Sequence, residues 1–153
     1  MAEAVLERLW EQRARREPVL IVIDEAHNVC PAAPEDALTA LATEHAVRIA
    51  AEGRKFGLYL LTSTQRPDKV HPNVVSQCDN LVLMRMNSAA DLAYAGEIFS
   101  FVPAGLLARA RTFGLGEALV AGKLSSHPAF VRMGPRISEE GGADVPSTWA
   151  QRT

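Results

Sequence analysis

Charge of one sign, cysteine and long apolar runs are all scarce in this sequence of 153 residues, and each shortage removes a class of protein. With 16 lysines and arginines against 18 aspartates and glutamates, the formal charge is −2, which excludes polyanion binding through overall charge. Any contact with a nucleic acid must be local. Cys30 and Cys78 cannot form a disulfide framework, and neither stands at zinc-ligand spacing from a second cysteine or a paired histidine. They read as small buried apolar residues. The longest apolar stretches, such as residues 18–23, are far too short for a membrane span, and no charged, apolar and small leader opens the chain, so a cytoplasmic location is expected. What is present is a composition 48% hydrophobic and 22% charged, that of one ordinary domain able to bury a core.

Residues 2–17 (AEAVLERLWEQRARRE) set Val5, Leu6, Leu9 and Trp10 on one helical face, with Glu11 one turn before Arg15. This predicts an amphipathic helix stopped by Pro18. Arg13, Arg15 and Arg16 suit a nucleic-acid contact, or simply the negative end of that helix's dipole. Residues 19–23, VLIVI, are aliphatic without polar alternation, which predicts a strand covered on both faces in a parallel sheet. A proline-bearing loop follows, then a helix over about 34–51, where Leu38, Leu41, Ala42, Ala46, Ile49 and Ala50 recur at helical spacing and Gly53 suits the residue just past the end. Strands are expected at 58–62 and 81–86, a helix around 89–99 and a short helix from Pro103 to about Arg111. Segments 117–121 and 129–133 read as a small hairpin-like addition or a sheet edge. Alternation of strand and helix makes the fold class α/β. Residues 1–137 are read as one domain and 138–153 as a polar tail, in which Trp149 is stranded and is expected to dock elsewhere in an intact assembly.

The strongest chemical signal is the apolar run ending in Asp24-Glu25, because a buried parallel strand delivers its last side chains to the crevice where ligands bind. Capping of a following helix is the bland reading, but Asn28, Pro31 and Pro34 make the next segment a poor helix. In a nucleoside triphosphatase such an Asp holds the magnesium shell and the adjacent Glu orients the attacking water. That chemistry calls for a phosphate loop, GxxxxGK[ST]. The sole Gly-Lys pair, Gly122-Lys123, fails: Glu117 stands where the first Gly should, Leu124 replaces the hydroxyl residue, and the pair lies after the acidic strand.

A second constellation follows: EGRKFG at 52–57 ends a helix, 58–62 is a strand, and Thr64-Gln65-Arg66-Pro67 stands at that strand's carboxyl end. Together with IVIDEAH, SQCDNLVLMRM and GEALVAG, this order resembles the HerA and FtsK superfamily of hexameric, RecA-like DNA translocases, the HerA branch above all. The resemblance spans about residues 18–122. It implies a three-layer P-loop NTPase core with a mostly parallel sheet, here without its N-terminal phosphate-loop part or the barrel usual in the HerA branch. It further implies ATP and magnesium as cofactors, hydrolysis coupled to movement along duplex DNA, a homo-hexamer and a possible partner nuclease.

Carried over by position, Asp24 resembles the magnesium-binding residue, Glu25 the catalytic carboxylate, Gln65 the sensor of the terminal phosphate and Arg54 the arginine finger that reaches a neighbouring subunit's nucleotide. Arg85, on an otherwise apolar strand, is expected to need a carboxylate or phosphate partner, and a nucleotide-binding role is assigned to it. Arg66, Lys69 and His71 suit a DNA contact or a solvated loop. His27 completes the letters DEAH, so a DEAH-box helicase fragment is a rival, although such enzymes follow with a Ser-Ala-Thr segment where this chain has Thr62-Ser63-Thr64. His45, His71 and His127 show no ligand spacing with His27. A noncatalytic module retaining the ATPase shape is the alternative from another class, and without a phosphate loop the isolated chain is expected to be inactive.

Overall fold

The computed structural model describes residues 1–135 and 137; the tail assigned to 138–153, with Trp149, lies outside the described residues. The helices are α1 (Ala2–Glu11), α2 (Ala26–Val29), α3 (Ala37–Glu52), α4 (Pro72–Val75), α5 (Ala89–Ile98) and α6 (Ala104–Ala108). The strands are β1 (Val19–Ile23), β2 (Leu58–Thr62), β3 (Asn80–Leu83), β4 (Glu117–Gly122) and β5 (Ala129–Arg132).

β1 and β2 pair in parallel, in register from Val19 opposite Leu58 to Ile23 opposite Thr62, with α3 in the crossover between them. α3 begins at Asp36, whose carboxylate accepts the Thr39 N–H at 2.9 Å and the Thr39 hydroxyl at 2.6 Å. Ala46 and Ile49 of α3 share one core with Ile21, Ile23 and Leu58. The opposite face differs from the two-sided burial that the aliphatic run predicts. Leu20 and Val22 pair across the sheet with Tyr59 and Leu61, and all four are 46–61% exposed. Among the described residues nothing covers that face.

Among the described residues, parallel pairing is confined to β1 and β2. β3, β4 and β5 form a separate antiparallel sheet in the order β3-β4-β5, with Val82 opposite Val120 and Val120 opposite Ala129. The hairpin-like reading of the last two strands is thus realised. Gly122-Lys123, the failed phosphate-loop match, lies where β4 turns toward β5. Gly122 has φ +101, and Lys123 meets Asp79 at 2.6 Å, holding that carboxyl below the usual carboxylate range.

Several boundaries move for local reasons. The first helix ends at Glu11 and passes into a 3-10 turn, Gln12–Arg15, so Glu11 and Arg15 lose helical spacing and form no ion pair among the described residues. Arg13 instead stacks over Trp10 at 4.5 Å and Phe56 at 5.5 Å and donates to the Trp10 carbonyl at 2.7 Å. Its charge is used inside the fold. The segment after Glu25 does form a helix, of a single turn, because Ala26 N–H is held by the Ser63 carbonyl at 2.9 Å. Gly53 is right-handed (φ −54), and the left-handed position is Gly57 at φ +84. Gly53 is small for a different reason: a Cβ there would stand 2.8 Å from the Leu58 carbonyl oxygen.

Candidate active site at the ends of the parallel strands

The two motifs meet because the pairing of β1 and β2 continues past both strands. Ser63 N–H donates to the Ile23 carbonyl at 2.9 Å, and Ala26 N–H returns to the Ser63 carbonyl at 2.9 Å. Asp24-Glu25 and Thr64-Gln65 are therefore clamped side by side at the carboxyl end of the sheet. Between the clamps the chain makes a tight turn: Glu25 sits in the left-handed region at φ +47, a conformation that costs a non-glycine residue free energy. Asp24 Oδ1 accepts the Glu25 N–H at 3.0 Å, which supports this turn.

Gln65 Nε2 donates to Glu25 Oε1 at 3.3 Å. The other oxygen, Oε2, is enclosed and lies 3.3 Å from His27 Nδ1, which is also 3.0 Å from Thr64 Oγ1. Thr64 Oγ1 accepts the Arg66 N–H at 3.0 Å. His27 and Thr64 are thus in the site, although the sequence shows His27 only as a letter of a motif and Thr64 only as part of a strand end. The available signal was the histidine's position three residues beyond the acidic strand end, close enough to follow it round a turn.

Asp24 is exposed and offers a carboxylate oxygen beyond the one it uses on Glu25, a donor suited to magnesium, which takes one or two carboxylates and keeps several waters. Phosphates fare differently. The described residues contain no glycine-rich turn opening a helix at this end of the sheet, the arrangement whose backbone N–H groups cradle phosphates.

Arg54 is not brought into this cluster. It is exposed on the turn Gly53–Phe56 before β2, at the amino end of the strand whose carboxyl end carries Gln65. Five residues of strand, about 17 Å at roughly 3.3 Å each, separate the two ends. Arg85 also departs from expectation. β3 ends at Leu83, and Arg85 lies beyond it, exposed, rather than on the strand. Arg66 is exposed and Lys69 pairs with Asp68 at 3.4 Å, an ordinary loop arrangement. His71 Nδ1 accepts the Asn73 N–H at 3.2 Å at the start of α4. His45 has ligand spacing with Glu3 and Glu7, one donor atom from each lying within 4.8 Å of the others, a disposition common among solvated acidic groups without an ion.

No protein-family model matches the chain. A stretch of 127 residues is 33% identical to the DNA double-strand break repair helicase HerA of Sulfurisphaera tokodaii, covering 83% of this chain and 25% of that protein. A stretch of 128 residues is 30% identical to the probable HerA helicase of Methanocaldococcus jannaschii, covering 84% and 25%. The chain is HerA-like. It spans about a quarter of the length of these curated relatives. Among solved structures, the HerA-like chain superposes with a TM-score of 0.63 at 20% identity on the genome packaging NTPase of Sulfolobus turreted icosahedral virus 2 in complex with ATP-gammaS. That match covers 83% of this chain and 60% of the viral one. The fold is therefore that of part of this packaging NTPase. No helix among the described residues is long and apolar enough to cross a membrane.

Proposed function

We propose that the HerA-like chain is the acidic-strand portion of an ATP-hydrolysing DNA translocase or helicase core, and that a segment outside these residues supplies the phosphate loop. The observation that carries this reading is the contact of Glu25 with Gln65 across the ends of two parallel strands, where a carboxylate and an amide converge on one reacting centre. The open face of β1 and β2 supports it, since a parallel pair lined by Leu20, Val22, Tyr59 and Leu61 is suited to burial under further structure.

In this reading Asp24 holds magnesium, which when bound offsets the charge of the phosphates. Glu25 accepts a proton from the attacking water and fixes its line of approach, and Gln65 turns its amide toward the terminal phosphate. Arg54, distant from its own subunit's Glu25, acts in trans at a neighbouring nucleotide. A ring is then required, and a homo-hexamer on duplex DNA, with a partner nuclease, is the assembly assigned. No relative reported above favours a DEAH-box enzyme. A noncatalytic module with the same shape is the second reading.

The two readings separate by experiment. The chain alone is expected to show no micromolar MgATP binding by calorimetry. Joined to the phosphate loop of the intact protein, Glu25→Gln should retain nucleotide and lose phosphate release. Arg54→Ala should fold and bind ATP yet lose roughly a thousandfold in turnover, the scale of an arginine finger. Mixing the two variants should restore part of the activity at mixed interfaces. Near-normal turnover of Arg54→Ala in an assembled ring would remove the trans role, unaffected turnover in Glu25→Gln would remove Glu25 from the chemistry, and absence of turnover in the unmodified intact protein would leave the noncatalytic reading.

A further inference from the structure

Glu25 Oε2 is the one loose end of the site: it is enclosed, and no donor is aligned on it, although His27 Nδ1 stands 3.3 Å away. The same nitrogen stands 3.0 Å from Thr64 Oγ1. A neutral imidazole nitrogen carries a proton or a lone pair, so Nδ1 can donate to the carboxylate or accept from the hydroxyl, but not both. The hydroxyl has other outlets, because Thr64 Oγ1 already accepts the Arg66 N–H and its hydrogen can turn toward solvent. The enclosed carboxylate oxygen has none. Leaving it unpaired is the costlier outcome, and a small rotation of the imidazole aligns Nδ1–H on it.

Resting on the ATPase reading above, we propose that His27 is a positioning residue for Glu25, donating Nδ1–H to Oε2 so that Oε1 is the oxygen presented to water. Two holds then act on one carboxylate. Gln65 grips Oε1 and must let go when its amide turns to a phosphate, whereas His27 grips Oε2 from the single turn of α2 and keeps its hold throughout. A persistent hold is needed because the left-handed backbone of Glu25 is strained and would otherwise relax, carrying the carboxylate away. Misplacing a catalytic group by an ångström costs about a hundredfold in rate. His27 belongs to α2, anchored through Ala26 to the end of β2, so its ring is fixed to the same two strand ends that it bridges.

The first test uses the 153-residue chain itself. Long-range 1H–15N spectra should show the Nδ1–H tautomer of His27, and Glu25→Gln should move its Nδ1 resonance while Thr64→Val leaves the tautomer in place. An unprotonated Nδ1, or a resonance indifferent to Glu25→Gln, overturns the proposal without reference to ATP. The second test uses the intact ATPase. Asn places its amide where Nδ1 stands, whereas Gln places it about one atom further, near Nε2. His27→Ala and His27→Gln should therefore lose roughly tenfold to a hundredfold in kcat with KM for ATP within about twofold, and His27→Asn should recover most of the loss. Equal turnover in all three variants, or equal loss in all three with melting temperatures unchanged, rejects the positioning role. If Glu25→Gln turns over normally, the catalytic assignment of Glu25 fails instead, and the spectra of the chain still decide whether the contact exists.

Discussion

The cysteines differ in what surrounds them. Cys30 is fully enclosed, donates its thiol to the Ala26 carbonyl at 3.4 Å, and burial, with Cys78 adding to it, pushes its pKa up to about 11. Roughly one such thiol in a thousand is ionised at pH 8, and the thiolate is the nucleophile. Cys78, only half-buried, should be labelled by a maleimide well before Cys30, as followed by intact-mass spectrometry. Equal rates would mean that α2 opens readily. Asp36 gives a pH effect of definite sign. Its hydrogen bonds to the Thr39 hydroxyl and N–H hold the carboxyl below its ordinary value. The cap thus contributes fully above the unfolded pKa, about 3.9, and is lost as pH falls through the lower folded value. Asp36→Asn should flatten the acid limb of a melting-temperature profile below about pH 4. At Glu25 the side chain and the backbone want different residues. Glu25→Gly should be more stable than Glu25→Ala by about 1–2 kcal/mol in denaturant melts, since only glycine takes φ +47 without penalty.

At the scale of elements, the close approaches are the sensitive points. A Cβ at Gly122 would stand 2.1 Å from the Asp79 carbonyl oxygen, and the residue has φ +101, so neither space nor backbone admits a side chain. Gly122→Ala should therefore cost roughly 1–3 kcal/mol or more, and chemical-shift changes should concentrate in β3 and β4. Much of this level was legible in the sequence. The aliphatic run and helical spacing located β1, α3 and β2, and the motif order located Asp24, Glu25 and Gln65 on adjacent strand ends. What was not legible depends on partners distant in sequence. The carbonyl of Ser63 makes a helix of a segment containing Asn28, the aromatic rings of Trp10 and Phe56 claim Arg13, and the Leu58 carbonyl explains why residue 53 is glycine. Arg85 misled for the opposite reason, since an apolar neighbourhood in sequence continued past the strand's end into solvent.

Across the whole molecule, the uncovered face of β1 and β2 governs behaviour in solution. Four large apolar side chains in cross-strand pairs present a patch whose removal from water is favourable at about 25 cal/mol per Å2. The isolated chain should self-associate with rising concentration in sedimentation velocity, and the double substitution Leu20→Ser with Leu61→Ser should suppress this while leaving the circular dichroism spectrum unchanged. The division into two sheets also orders events in time. The β4–β5 hairpin joins residues close along the chain, whereas β1 must wait for β2, with all of α3 synthesised between them. Local closures come first and crossover pairing later, so pulse-labelled hydrogen exchange should protect Val120 before Val22. The acidic strand end then meets Gln65 only after the crossover has closed, so a chain caught before that stage carries secondary structure without the Glu25–Gln65 contact.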